Sequence, residues 1–281
     1  MNKLKKEDLK KNFQKAVLKC DRLMNYLKIS LSEHKRDSVF FYTFHKTAST
    51  LFSGYVLKHV DGLHHVDYAS QIYEGKLKGG VVRFEEKGRI YGPIRLSANT
   101  DSAVYAKLVS PAQDAAFARN KKAVIFIRDP RDIIISKYFS LAFSHNFSPV
   151  EEIRRRQMKI REITKNMSVD EFARKDVHQL LAGFQKAVLL SQNCASSYVL
   201  KYEDMISNWE AFEKSLAAAL PLRKSVLNSI YSRTRPSKTE NIYSHRRSGA
   251  VRGFENKLSP ETLDFLNIQL KPVLDYFNYT I

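Results

Sequence analysis

The stretch from residue 38 to residue 62 constrains the fold of this chain more than any other part of the sequence. It begins with Ser38-Val39-Phe40-Phe41-Tyr42, a run of β-branched and aromatic residues typical of a strand buried on both faces, as in parallel sheets. A polar turn from Thr43 to Leu51 follows, and apolar residues then recur at helical spacing up to a stop at Asp61-Gly62. A strand that passes directly into a helix directs several unsatisfied backbone N–H groups toward one point. We therefore predict an anion-binding loop, with phosphate or a related group as its ligand.

A second strand–helix junction has the same form. The apolar run Ala123–Ile127 predicts another buried strand, Asp129 can cap the next helix, and Pro130 suits the first turn of that helix. Arg128 therefore falls where the strand ends and the helix begins, which is the ligand-binding edge of open α/β sheets. Ser136 lies one turn beyond Asp132 on the predicted helix.

Alternating strand and helix patterns set the fold class. Residues 197–202 predict a further strand, residues 63–68 and 81–84 predict short ones, and residues 89–96 predict a strand interrupted by Gly92-Pro93, which favours an edge position or a bend. We expect residues 37–281 to form a single α/β domain with a central, mostly parallel β-sheet flanked by helices.

Capping patterns predict two helix starts in the second half of the chain. Ser207 with Glu210 matches a capping box, and Ser259-Pro260-Glu261 combines a cap, a first-turn proline and a first-turn acid.

The charge is strongly basic, with a net charge of +18 and a pI near 9.8. Such a surface attracts polyanions, anionic membranes or an acidic ligand, although a solvated basic surface without a partner is an equal alternative. Residues 1–36 predict a basic amphipathic helix that packs on the domain, a partner or a membrane surface.

The two cysteines, Cys20 and Cys194, have no metal-ligand spacing, and no 18-residue apolar run occurs. These features favour a cytoplasmic protein with ordinary thiols and no transmembrane segment.

Four segments, in order, resemble one family. The loop around Lys46 lacks the glycines of the nucleoside-triphosphate loop. The segment His45-Lys46-Thr47-Ala48-Ser49-Thr50 instead resembles the 5′-phosphosulfate loop of sulfotransferases that use 3′-phosphoadenosine-5′-phosphosulfate (PAPS). The segment Arg128–Asp132 with Ser136 resembles their 3′-phosphate site. Residues 202–205 resemble their Tyr-Glu-Asp-Leu segment, and residues 247–253 resemble their Arg-Lys-Gly-x-x-Gly loop. The resemblance implies a P-loop-like fold of the sulfotransferase and nucleotide kinase type.

The resemblance also implies roles. Lys46 would neutralise charge on the bridging oxygen between phosphate and sulfate, while Thr47, Ser49 and Thr50 would hold the 5′-phosphate. The 3′-phosphate would be bound by residues of three segments, and the adenine would face one aromatic ring. These residues are Arg128, Ser136, Arg247, Ser248 and Gly249 for the phosphate and Tyr202 for the adenine. No metal is expected, because lysine and arginine neutralise the donor.

Two positions depart from the family pattern. Ala48 replaces a common glycine. Alanine avoids strain at this position only if its φ is negative. Ser248 replaces a lysine and removes one charge from the 3′-phosphate site.

The catalytic base and the acceptor are left open by the residues. Carbohydrate-modifying members of the family use a glutamate beyond the first helix, and Glu74 stands at a comparable spacing, with His64, His65, Asp67 and His145 as competitors. His65, Arg95 and His145 are candidates for contact with the acceptor, which we expect to be a carbohydrate or another acidic molecule. The alternatives are an atypical P-loop-like nucleotide kinase or phosphoryl transferase, and a basic module that binds nucleic acid or membrane.

Overall fold

The computed structural model describes residues 36–77, 84–96, 121–234 and 249–281. Five strands form one sheet in the spatial order β2-β3-β1-β4-β5, and every pairing between these strands is parallel. They are β1 (Val39–Thr43), β2 (His64–Val66), β3 (Arg89–Arg95), β4 (Lys122–Ile127) and β5 (Ser196–Lys201). The α/β class with a parallel central sheet, predicted from the sequence, is confirmed.

Helices follow most of the strands and cover the sheet. In the described residues the α-helices are α1 (Ser49–Gly54), α2 (Tyr68–Tyr73), α3 (Pro130–Phe139), α4 (Glu151–Lys165), α5 (Val169–Asn193), α6 (Tyr202–Ser207), α7 (Trp209–Ala219), α8 (Lys224–Thr234) and α9 (Pro260–Tyr276). A 3₁₀ turn, Val56–His59, follows α1, and a π-helical turn, Ser140–Ser144, extends α3. The predicted caps of α3 and α9 are confirmed, since Asp129 accepts a hydrogen bond from the Arg131 N–H and Ser259 accepts one from the Thr262 N–H.

Both faces of the sheet are buried, as the apolar composition of β1 predicts. Phe40 and Tyr42 belong to a core shared with α3, α5 and α9, whereas Val39 and Phe41 belong to a second core shared with α1, α6, α7 and α8. Successive side chains of a strand point to opposite faces, so β1 contributes to both cores at once. This central position fixes the loop that follows β1 between two packed layers.

Two local predictions needed correction. Of the edge or bend predicted at Gly92-Pro93, the edge is wrong, because β3 lies between β2 and β1; the pairing register of β1 with β3 shifts at this point. Gly92 has φ of 139°, and a Cβ there would lie 2.5 Å from the Phe41 carbonyl oxygen. Only glycine allows this close approach. Ser207 is the last residue of α6, and Asn208 rather than Ser207 caps α7 by accepting a hydrogen bond from the Ala211 N–H.

A buried network joins the start of α3 to the C-terminal end of the chain. The Arg131 guanidinium donates to both carboxylate oxygens of Asp129, to the Asn267 side chain in α9 and to the Thr280 carbonyl. It therefore fixes the junction between β4 and α3. The predicted basic helix of residues 1–36 and most of the strand at 81–84 lie outside the described residues.

Candidate active site

A cavity of about 290 Å³ lies at the edge of the sheet where the parallel strands end. The pairing register brings Thr43 opposite Arg95 and Phe126, and Ile127 opposite Lys201. Residues that follow these strands in the sequence therefore meet on one cavity wall. Most of the predicted donor-binding residues lie on that wall: His45, Lys46, Ala48, Ser49, Thr50, Arg128, Ser136, Tyr202 and Gly249.

The loop after β1 is held in an unusual backbone conformation. Lys46 and Ala48 both have positive φ, 64° and 49°. Ala48 therefore does not meet the condition of a negative φ, and it occupies the left-handed region that its glycine counterpart in the family tolerates more easily. Left-handed residues turn successive N–H groups toward the inside of a loop, which is an arrangement that binds anions. Thr47 and Ser49 are buried within the loop, and Thr50 is exposed.

Arg128 connects this loop to the C-terminal segment. Its guanidinium is only 5% exposed, donates to the Lys46 carbonyl at 3.1 Å and to the Ala250 carbonyl at 2.9 Å, and lies 4.4 Å above the Tyr202 ring. Asp132 forms an ion pair with it at 3.5 Å. Among the residues that the structure describes, the buried Arg128 Nε–H has no acceptor. A buried cationic donor left in this state costs free energy unless an anion binds it.

Asp132 holds the C-terminal segment beside Arg128. Its carboxylate accepts hydrogen bonds from the Arg252 N–H at 2.9 Å and the Phe254 N–H at 3.2 Å. Burial raises the pKa of Asp132, while the nearby Arg128 charge acts in the opposite direction. Sequence reasoning assigned no role to Asp132, which lies in the first turn of α3, whereas Arg128 lies before the helix cap.

Tyr202 and Glu203 fix the end of β5 against the same segment. The Tyr202 hydroxyl donates to the Gly249 carbonyl at 3.1 Å, and Gly249 has φ of 74°. Glu203 accepts from the Asp129 N–H and from the Tyr279 hydroxyl, and burial raises its pKa. The ring of Tyr202 is thus held on the cavity wall as a flat surface beside Arg128.

Basic side chains surround His45 at the other side of the loop. Desolvation lowers the pKa of His45 well below its usual value, and the charges of Arg95, Lys137, His145 and Lys46 lower it further. All five residues line the cavity. His45 is therefore a neutral imidazole at neutral pH, able to accept a proton or a hydrogen bond.

Some predicted residues lie elsewhere. Glu74 ends α2, and its carboxylate lies 2.5 Å from the Lys76 amine at the surface; Glu74 is not among the residues that line the cavity. His65 also lies off the wall and contacts the Gly92 carbonyl through Nε2. His64 lies on β2, and Asp67 caps α2. Arg247 and Ser248 fall outside the described residues.

The sequence interpretation missed several cavity residues. Lys137, Ser140 and Leu141 reach the wall from α3 and the π-helical turn, and Arg233 and Thr234 reach it from the end of α8. In the sequence, a charged residue on a helix looks the same whether it faces solvent or a cavity. The signals that mark Lys137 as a cavity residue are its four-residue spacing from Ile133 and its position directly after Ser136.

Comparisons with known proteins give matches among solved structures. No protein-family model matches the chain, and no curated protein matches it. Among solved structures, the chain is similar to mouse sulfotransferase SULT7A1 complexed with PAP, with 15% sequence identity, a TM-score of 0.48, and coverage of 90% of this chain and 92% of that chain. The function therefore has to be inferred from the residues of the cavity.

Membrane-spanning helices and clusters of metal ligands can be assessed only for the residues that the structure describes. No helix in these ranges is long and apolar enough to cross a membrane. Within the same ranges, no three His, Cys, Asp or Glu side chains come together as metal ligands. The sequence-based expectation that no metal is required stays a prediction.

Proposed function

We propose that the protein transfers a sulfuryl group from PAPS to a hydroxyl or amine of an acceptor and releases 3′,5′-ADP. One observation carries this proposal: the cavity has two separate anion-binding elements on one wall. The first is the left-handed loop around Lys46, and the second is buried Arg128, whose Nε–H has no acceptor among the described residues. A ligand with two anionic groups, such as a nucleotide phosphorylated at the 3′ and 5′ positions, matches both.

The donor-binding roles follow from these two elements. The loop N–H groups with the hydroxyls of Thr47, Ser49 and Thr50 would hold the 5′-phosphate. The Arg128 Nε–H would donate to the 3′-phosphate, and the Ser136 hydroxyl lies on the same wall. Tyr202 offers its ring to the adenine. By the resemblance, Arg247, Ser248 and Gly249 would close over the 3′-phosphate, a role that stays a prediction for all three.

The chemistry requires a cation at the leaving oxygen and a proton acceptor. When bound, PAPS supplies the sulfuryl group: the S–O bond to its 5′-phosphate breaks, sulfur bonds to the acceptor, and 3′,5′-ADP leaves. The Lys46 ammonium, on the loop that holds the 5′-phosphate, neutralises charge that develops there. The described cavity wall contains no Asp or Glu, so His45 and His145 are the groups on it that can take the acceptor's proton. Glu74 is the competing, sequence-based candidate.

Thermal shift and turnover measurements test the proposal. We expect 3′,5′-ADP to raise the melting temperature more than ATP with magnesium does, because only the former places phosphates on both elements. Lys46→Ala should reduce the transfer of label from radiolabelled PAPS by about 10²–10³-fold. Lys58→Ala, which removes an exposed lysine from the 3₁₀ turn after α1, serves as the control and should change little. A larger shift with ATP, or full turnover in Lys46→Ala, would show that the proposal is wrong.

A further inference from the structure

The cavity wall has more positive charge than the PAPS donor accounts for. Five cationic residues line it, and no Asp or Glu does so among the described residues: Lys46, Arg95, Arg128, Lys137 and Arg233. The proposed function assigns Lys46 and Arg128 to the donor. Arg95 and Lys137 line the same cavity wall as His45, which directly precedes Lys46, and Arg95 pairs with Thr43 in the strand that leads to His45. A second cationic region therefore adjoins the point of sulfuryl transfer.

Arg95 differs from Lys137 in how its charge is compensated. The Lys137 amine donates to the Asp176 carboxylate at 2.5 Å and to the Gln179 side chain at 3.3 Å. Arg95 is the last residue of β3 and pairs in register with Thr43, two residues before His45. Among the described residues, its buried Nε–H has no acceptor and no acidic side chain forms an ion pair with it. A partly buried guanidinium in this state is suited to a ligand carboxylate or phosphate.

We propose that the acceptor carries an anionic group, a carboxylate or a phosphate or sulfate ester, and that Arg95 binds this group beside His45. The inference rests on the proposed sulfuryl transfer, since it assigns the remaining cationic region to the second substrate. An anion held by Arg95 would orient the acceptor hydroxyl or amine toward the loop that carries Lys46. It would also offset the positive charges around the His45 imidazole and favour that imidazole as a proton acceptor.

Matched pairs of acceptors test this inference on the protein saturated with 3′,5′-ADP. Each pair shares a scaffold and differs in one anionic group: glucuronate with glucose, N-acetylglucosamine 6-phosphate with N-acetylglucosamine, and 4-hydroxyphenylacetate with 4-hydroxyphenylethanol. Calorimetric titration measures binding, and label transfer from PAPS measures turnover. We expect the anionic member of at least one pair to bind at least about tenfold more tightly, as a charged hydrogen bond predicts. The first two pairs distinguish a carboxylate from a phosphate.

Variants assign the preference to one residue. Arg95→Gln should reduce the preference for the anionic member to about threefold or less, and Arg95→Lys should retain part of it. Arg89→Gln is the matched control, since it removes the same charge from the opposite end of β3, where Arg89 pairs with Glu85. All three variants should keep the melting-temperature rise with 3′,5′-ADP, which shows that they fold and bind the donor product.

The outcomes separate this inference from the proposed function. If 3′,5′-ADP leaves the melting temperature of the unmodified protein unchanged, the proposed function fails. If 3′,5′-ADP binds but the two members of every pair bind and turn over alike, the inference of an anionic acceptor is wrong. The same holds if neither member of any pair binds. Loss of turnover in Arg95→Gln by the same factor for both members of a pair would also overturn it, because Arg95 would then act on the donor.

Discussion

Replacing Ala48 with glycine should stabilise the protein, although most alanine-to-glycine changes do the opposite. Ala48 has φ of 49° and ψ of 24°, and a left-handed conformation costs a residue with a Cβ about 1–2 kcal/mol. Glycine removes this strain but loses about 0.5–1 kcal/mol through its greater freedom in the unfolded chain. The methyl group packs against the core that contains Phe52 and is only partly buried. A fully buried methyl group contributes about 0.8 kcal/mol, so its loss here costs roughly 0.3 kcal/mol. We expect a net gain of roughly 0.5 kcal/mol in the free energy of unfolding.

Urea unfolding measures this gain against a control of opposite sign. Ala182 is exposed in the interior of α5, where glycine should destabilise by about 0.5–1 kcal/mol. The two variants should therefore differ by about 1–1.5 kcal/mol, which exceeds the error of matched urea curves. If Ala48→Gly lowers the free energy of unfolding as much as Ala182→Gly does, the left-handed loop carries no strain and the reasoning is refuted.

Three other variants test the donor and acceptor ends of the cavity. Arg128→Lys keeps the charge opposite Asp132 but loses the planar fork, so affinity for 3′,5′-ADP should fall about 10-fold or more, as calorimetry can measure. Affinity for 5′-AMP should fall less, through the lost contact of Arg128 with the Lys46 carbonyl alone; equal losses for both nucleotides would contradict the assignment. His45→Asn should lower turnover by about 10²–10⁴-fold and keep the rise in melting temperature with 3′,5′-ADP. Glu74→Gln should change turnover little. The reverse pattern would favour Glu74 as the base. Because folding lowers the pKa of His45, its neutral form contributes stability above the unfolded pKa of about 6.5, and that stability is lost as pH falls below this value. His45→Asn should weaken this acid dependence in thermal unfolding.

The fold was largely predictable because its strands are apolar runs buried on both faces. Residues 39–43 and 122–127 are such runs, and the capped starts of α3 and α9 follow from Asp129 and Ser259. The central position of β3 was not predictable, because a Gly-Pro pair in a strand more often marks an edge, and here Gly92 is required by contact with Phe41. Ser207 and Asn208 are adjacent residues that can both cap a helix, and the sequence does not say which one is used.

The candidate site was predictable where it follows a strand and unpredictable where it comes from a helix. Residues 45–50 and Arg128 follow buried strands, so the ends of parallel strands bring them together. Lys137 and Arg233 reach the wall from helices, and helical charges in a chain of net charge +18 resemble solvent-exposed ones. The backbone angles of Lys46 and Ala48 could not be inferred either, because neither residue type favours a positive φ.

Arg128 explains how a loop without the glycines of the triphosphate-binding motif can serve a donor with two anionic ends. One guanidinium group donates to the carbonyl of Lys46 in the first loop and to the carbonyl of Ala250 in the C-terminal segment. These two bonds leave the buried Nε–H without an acceptor among the described residues. An anion bound there would therefore contact the same side chain that fixes the backbone of Lys46. Under the proposed function, one residue would set both the position of Lys46 and the 3′ end of the donor, and a donor that lacks a 3′-phosphate would leave the buried Nε–H unsatisfied.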